Sequence, residues 1–466
     1  MPERRDLVII GGGPGGYVAA LRAAQLKKKV TLVEEHRVGG VCMNSGCIPT
    51  KYLLHQTQVF DELVNNPRIE GIQERPRLNW GLVQEGKRRA VDRLVDGVEF
   101  LLQRTGVEVI RARGTVTRER TVICRSDAGE KILEAGKIIL ATGSRTAPLP
   151  FLKPNGREVI THVEALDLET APMTMAIVGA GAIGLEIGSI YSRLGTDVTV
   201  LEIMPTILPG MDKRMAVRLE RALKKQGLKI LTEVCVDEAL VEGKGVHLKG
   251  KHLKTGETFA QVAEKVLLAA GRKPNSEILA ADFGSLLDGG GFVRVNARLE
   301  TGQPGIYAIG DLIGGKLLAH KAEHEGIIAV ENAAGLSREM DYQALPMAVF
   351  TEPEFASVGL TEEEARSQGI SVRVGLFSLQ ANGRAVTLER PEGMVKVIAS
   401  GDNRIIGAHI LSPHASELII EMTLAVHLGL SLRDIGSIIH VHPTLSEATG
   451  EAALKAMGMA LHALND

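Results

Sequence analysis

The apolar residues of this chain come in short blocks that stop at glycine. "DLVIIGGGPGG" has four consecutive apolar positions, 7–10, followed by a glycine cluster. A block this short, bounded by turn residues, reads as a buried strand. "GYVAALRAAQL" then reads as a small-residue helix, and "KVTLVEE" as a second strand that brings in Glu34. The same order of strand, glycine turn, helix and strand returns in "MAIVGAGAIGLEIGSIYSRLG" and "DVTVLE". Three more strand-like blocks run into turns: "KIILATGSRTAP" (137–148), "KVLLAAGRKPN" (265–275) and "GIYAIGD" (305–311). The first two look alike, and each is placed to close one repeated unit around Gly143 or Gly271. Helical patterns run through "PTKYLLHQTQVF", with Pro49 near the start, and "PTLSEATGEAALKAMGMA", which Pro443 is expected to open.

The spacing of the glycines gives the repeat a chemistry. The first copy is Gly11-x-Gly13-x-x-Gly16, with Glu34 eighteen positions after Gly16. The second is Gly179-x-Gly181-x-x-Gly184, with Glu202 at its strand end; both the first glycine and the acid are displaced by 168 positions. Such glycines permit a tight turn and close approach of backbone to a pyrophosphate. The helix N-terminus faces the phosphate, and the acid bonds ribose hydroxyls. The pattern predicts an α/β fold with two Rossmann-like dinucleotide-binding domains. Two dinucleotides in one chain suggest a relay, with FAD resident and a nicotinamide exchanging. Glu202 favours NAD over NADP, because a carboxylate there repels a 2′-phosphate. The following "EIMPTILPGMD" offers no Lys or Arg to hold one.

Composition narrows the classes. Lys and Arg number 54 against 56 Asp and Glu, a net charge of −2, which argues against a dedicated nucleic-acid binder. Aromatics at 3% make stacking platforms for single strands an unlikely use of the surface. No apolar run reaches the ~18 residues of a membrane span. Four cysteines in 466 residues do not make a secreted disulfide framework, and a cytoplasmic setting is expected.

Two of those cysteines, Cys42 and Cys47, lie in "GGVCMNSGCIPTK". Redox exchange, simple packing, and a metal site with His36 and His55 are all open to such a pair. The helix start and Lys51 favour a thiolate and hence the redox reading. A structural metal site lacks the short CxxC spacing that zinc favours. Cys124 and Cys235 are expected to be buried and inert. Thiol exchange also needs a base, and "HVHPTLSE" offers His442 with Glu447 to orient it, although a capping His beside a solvated Glu fits as well. Asp311 closes "GIYAIGD" as a turn residue or as a ligand for a sugar hydroxyl. His320 and His324 resemble half a metal site with no third ligand, and no metal is expected.

Taken together, GGxCxNxGCIPxK, the second GxGxxGxE, ATG, GD and HxHPTxxE resemble the class I pyridine nucleotide–disulfide oxidoreductases over essentially the whole chain. Val41, Met43 and Ser45 vary the usual cysteine motif. The resemblance implies a FAD domain (1–147), an NAD domain (148–275), a central domain (276–345) and an α+β C-terminal dimerisation domain (346–466). It implies a homodimer in which His442 and Glu447 serve the other subunit's cysteines. Cys42 is then the exchange sulfur, and Cys47 lies against the flavin. Lys51 pairs with Glu186 near the ring, while Gly114, Asp311 and Ala319 contact FAD. The implied reaction is oxidation of dihydrolipoyl groups with reduction of NAD⁺. The implied partner is a lipoyl-bearing protein of a 2-oxo acid dehydrogenase or glycine cleavage complex. Another NAD(P)H-dependent disulfide reductase of the same family is the alternative. Against it, a glutathione-type enzyme wants basic residues after Glu202, and a mercuric reductase wants a second thiol pair near the C-terminus.

Overall fold

The computed structural model describes residues 3–66, 68, 76–117, 119–243, 245–279 and 281–465. Strand Glu3–Ile10 pairs in parallel with Val30–Glu34 on one side and with Gly129–Leu140 on the other. Glu108–Arg111 extends the parallel edge. Ile306–Ala308 returns from far along the chain to lie parallel to residues 138–140, so the block ahead of Asp311 joins the first sheet. Residues 7–10 and 138–140 are buried, as the middle strands of a covered parallel sheet must be.

The second sheet is wholly parallel, in the order Lys229–Leu231, Asp197–Leu201, Thr174–Val178, Lys265–Leu268, Val159–Ile160. Its glycine turn repeats the packing of the first. A Cβ on Gly11 would stand 2.3 Å from the Ala141 carbonyl oxygen, and one on Gly179 would stand 2.5 Å from that of Ala269. The third glycines are tighter still: a Cβ on Gly16 would lie 1.8 Å from Gly11 O, and one on Gly184 would lie 2.2 Å from Gly179 O. The acids repeat as well. Glu34 accepts from Gly12 N at 2.6 Å and Glu202 from Ala180 N at 2.7 Å, each tying the turn to the end of the neighbouring strand. Beyond closing their own units, the two look-alike blocks meet: Ser144–Thr146 and Arg272–Pro274 form an antiparallel pair.

The third sheet is antiparallel, in the order Met347–Val349, Glu354–Gly359, Ile405–Ser412, Met394–Ser400, Val372–Ser378. Helices Ala415–Leu428 and Glu447–Ala456 pack on it. Two expectations are corrected. The last helix opens at Glu447 and not at Pro443, because the Glu447 carboxylate accepts from Thr444 N and His442 Nδ1 and folds residues 442–446 into a turn. Cys235 is only half-buried. Val234 and Val236 take the inward positions of strand Val234–Glu242, so the alternating pleat turns Cys235 outward, where its thiol donates to Asp237.

A buried ion pair joins the second unit to the third. Asp212 caps helix Lys213–Lys225 by accepting from Met215 N, and its other oxygen lies 2.7 Å from Lys396 Nζ. Lys396 also reaches Glu362 at 2.9 Å. Asp212→Ala removes the cap and leaves the buried Lys396 ammonium with Glu362 as its remaining carboxylate, so it is expected to lower stability by about 2 kcal/mol. In urea melts, adding Lys396→Met should recover part of that loss.

Candidate active site

A cavity of about 1730 Å³ opens where the three units meet. Small-molecule sites usually occupy about 300–1,000 Å³. This one runs from Gly11, Gly13, Glu34 and Gly114 at one end to Cys42, Cys47, Lys51 and Glu186 at the other. Gly143, Asp311 and Ala319 line it too. Gly16 lies behind the first turn, packed on Gly11. In the second unit the lining comes from the helix after the glycine turn, at Ala182, Ile183, Glu186 and Ile187, and from His162 and Arg272. Gly179, Gly181, Gly184, Glu202 and Gly271 stand outside the lining.

The cysteines sit on two consecutive helices. Cys42 belongs to Gly40–Ser45, and Cys47 is the first residue of Cys47–Val64. Gly46 lets the two helices fold together, since a Cβ there would stand 2.8 Å from the Val41 carbonyl oxygen. Both residues are thiols in this structure. The Cys42 thiol donates toward Cys47, and this bond is the main cause that brings Cys47 down to about 7. Burial works against that shift, and the Lys51 charge supports it. Cys42 moves the opposite way: its bond to Cys47 and its burial raise it, and Glu323 adds to this. These influences favour Cys47 as the thiolate, and its place at a helix N-terminus works in the same direction.

Lys51 lies one turn further along the same helix. Its Nζ is 2.7 Å from Glu186 Oε2, and the carboxylate is almost fully buried. The other oxygen of Glu186 accepts from Phe350 N at 2.9 Å. His442 and Glu447 do not line the cavity that holds the cysteines of their own chain. They bond each other at 2.8 Å, with the imidazole largely exposed. Ile439 and Val441, just ahead of this turn, are exposed apolar residues, as are Ile420 and Leu424 on helix Ala415–Leu428. An apolar surface of this kind marks an interface.

Several site residues escape the sequence reading. Arg272 donates to Ser144, which in turn donates to Asp311. The peptide of Gly310 is held from both sides: Glu325 accepts its N–H at 2.7 Å, and Lys321 donates to its carbonyl at 3.3 Å. The sequence signal for that pair is the i,i+4 spacing of Lys321 and Glu325 in "AHKAEHEG". His320 contacts the Pro346 carbonyl. Among the described residues no group of three or more His, Cys, Asp or Glu can hold a metal ion. No described helix is long and apolar enough to cross a membrane.

A dithiol set between two dinucleotide-binding units defines an enzyme of the disulfide-exchanging redox class. The chain belongs to the pyridine nucleotide-disulphide oxidoreductase family: the family profile matches residues 5–326, and its dimerisation domain matches residues 345–453. The working unit is accordingly a homodimer, and the cofactors are FAD and NAD. Dihydrolipoyl dehydrogenase of Thermus scotoductus is 42% identical over 463 residues, 99% of each chain. Dihydrolipoyl dehydrogenase 2, mitochondrial, of Arabidopsis thaliana is 40% identical over 99% of this chain and 92% of its own. Among solved structures, LpdA from Mycobacterium tuberculosis superposes with a TM-score of 0.87 at 27% identity, covering 97% of this chain and 99% of its own. The HOCl-induced flavoprotein disulfide reductase RclA from Escherichia coli gives 0.83 at 26%, covering 96% and 99%.

The residues present fit both cofactors. The first turn opens directly into a cavity large enough for a dinucleotide, and a Cβ position on Gly143 has no heavy atom within 4 Å. The second turn has the same clearance at Gly181. Gly184→Ala is expected to raise the KM for NAD by about tenfold or more, from the backbone clash it creates. Flavin content, read from the visible spectrum of the purified protein, should be unchanged; Gly16→Ala should lose the flavin instead.

Proposed function

We propose that this enzyme oxidises protein-bound dihydrolipoyl groups to lipoyl disulfides and reduces NAD⁺. The observation that carries the reading is the Cys42–Cys47 pair beside Lys51 and Glu186, in a cavity that both dinucleotide-binding units border. Likeness to dihydrolipoyl dehydrogenases along the whole chain supports the lipoyl substrate. A lipoyl-bearing protein of a 2-oxo acid dehydrogenase or glycine cleavage complex is the proposed partner. A cytoplasmic setting belongs to the same proposal, supported by the scarcity of cysteine.

The catalytic cycle starts with Cys42 and Cys47 as a disulfide. His442 of the partner subunit takes a proton from one substrate thiol. The resulting thiolate attacks Cys42, the S–S bond breaks, and Cys47 leaves as thiolate. The second substrate sulfur then closes the lipoyl disulfide and expels Cys42, which takes up the second proton. The products on the enzyme are a Cys42 thiol and a Cys47 thiolate, the charge distribution favoured by the site. Lys51 supplies the positive charge beside that thiolate, and Glu447 holds the imidazole by its Nδ1. Bound FAD supplies the two-electron acceptor between the thiolate and NAD⁺. Gly11, Gly13, Glu34, Gly114, Gly143, Asp311 and Ala319 are the proposed FAD-holding residues. Gly179, Gly181, Gly184, Glu202 and Gly271 are the proposed NAD-holding ones.

The first test is the initial rate of NAD⁺ reduction by dihydrolipoamide, run beside NADP⁺. A fast, NAD-selective rate is expected; no rate with FAD still bound would remove the lipoyl assignment. His442→Gln should reduce turnover by about 10²–10⁴-fold, the contribution of a positioned base. Cys47→Ser should retain flavin and lose dithiol oxidation.

A further inference from the structure

Phe350 stands at a junction that neither the sequence motifs nor the reaction accounts for. It follows strand Met347–Val349 of the dimerisation domain. Val349 is buried in the core, while Phe350 borders the cavity. The chain holds only nine Phe and one Trp, so a ring placed against a lysine in this cavity is a scarce resource here. Lys51 Nζ lies 4.4 Å from the centre of the Phe350 ring, within the range of a cation–π contact. The same residue's backbone N–H donates to Glu186 Oε1 at 2.9 Å, while Glu186 Oε2 takes the Lys51 ammonium at 2.7 Å. One residue therefore touches both members of the ion pair, one by its ring and the other by its peptide.

We propose that Phe350 is a positioning residue: its ring holds the Lys51 ammonium on the cysteine side of Glu186, so that the dimerisation domain sets how readily Cys47 becomes the thiolate. Lys51 is a flexible four-carbon chain with a strongly hydrated head. Glu186 alone fixes one contact of that head and leaves it free to swing around the carboxylate. The ring closes one side of that arc and keeps water from it. The charged and titratable groups that act on Cys47 are Cys42 on the preceding helix, Lys51 on its own helix and Glu186 on helix Ala182–Arg193. Arg272, on strand Arg272–Pro274, also feels the Cys47 charge. Among these, Lys51 is the group whose place depends on the Phe350 ring. The inference rests on Cys47 acting as the thiolate and is independent of which disulfide the enzyme serves.

The test uses the full-length holoprotein carrying Cys42→Ser, so that Cys47 is the one thiol of the pair. After reduction, alkylation of Cys47 by iodoacetamide is followed by mass spectrometry from about pH 5 to about pH 9, where a thiol of this kind titrates. Phe350→Leu keeps an apolar side chain and removes the π face. Its reactivity midpoint is expected to rise by about half a pH unit or more, whereas Phe350→Tyr should match the parent. On a Lys51→Met background, Phe350→Leu should add no further shift, because the ring acts through the lysine. A midpoint in Phe350→Leu that coincides with the parent overturns the proposal. So does an equal shift on the Lys51→Met background, which would make the ring a mere water barrier. If Phe350→Leu does not retain flavin, Phe350→Met takes its place with the same expectations. The readout consumes no lipoamide, so a failed dihydrolipoamide assay leaves its outcome standing.

Discussion

The Lys51–Glu186 ion pair is the constraint on which the arrangement of the site depends. Lys51 rides on the cysteine helix of the first unit, and Glu186 on the helix that leaves the second glycine turn. A nearly buried carboxylate is costly unless paired and bonded, and Glu186 meets both conditions with Lys51 and the peptide of Phe350. Satisfying that one side chain draws the three units to a common point. The cavity lies there, lined by both members of the pair. The pair also sets the local field, so the electrostatic bias toward a Cys47 thiolate and the docking of the domains have the same origin.

The two dinucleotide units reach the same backbone solution by the same means. In each, the first glycine meets a carbonyl of the neighbouring strand, and the third meets the carbonyl of the first. In each, a glutamate from the next strand accepts the N–H of the residue after the first glycine. That acid therefore has a structural duty before any ribose arrives: it locks the turn so that its amides face outward. A carboxylate has room for this bond and for a hydroxyl as well. The units differ in what lies past the turn. The first opens straight into the cavity, while the second presents the side of its helix. This asymmetry suits one dinucleotide that stays and one that comes and goes.

Much of this was legible in the sequence because it rests on backbone geometry. Close approach demands glycine, and glycines at fixed spacing with an acid at a fixed distance leave few alternatives. The cysteine pair was legible because Gly46, Pro49 and Lys51 stand beside it. What could not be read was contact between distant side chains. Nothing near Asp212 in the sequence announces Lys396, 184 positions away. Nor does the sequence around Phe350 announce its contact with Lys51, far earlier in the chain. The start of the last helix was misplaced for a related reason. Pro at the first turn is a sound local rule, but the Glu447 carboxylate offered residues 442–446 better bonds as a turn.

That turn bears on why the enzyme must pair with itself. The Glu447 carboxylate has both oxygens engaged, one by Thr444 N and one by His442 Nδ1. An ionised carboxylate only accepts, so Nδ1 carries the hydrogen and Nε2 presents its lone pair outward. On the proposed mechanism such a base serves the other subunit, since the cysteines of its own chain lie in a cavity that His442 does not line. His440, two residues before it, is held by Glu421 at 3.0 Å, so the turn is anchored from behind as well as from its tip. The apolar residues around the turn cannot remain in water, and a matching surface on a second copy is the simplest cover for them. On the proposed mechanism, burying that surface brings an oriented imidazole to the other subunit. Folding would then build the cofactor sites within each chain, and association would complete the acid–base chemistry between them.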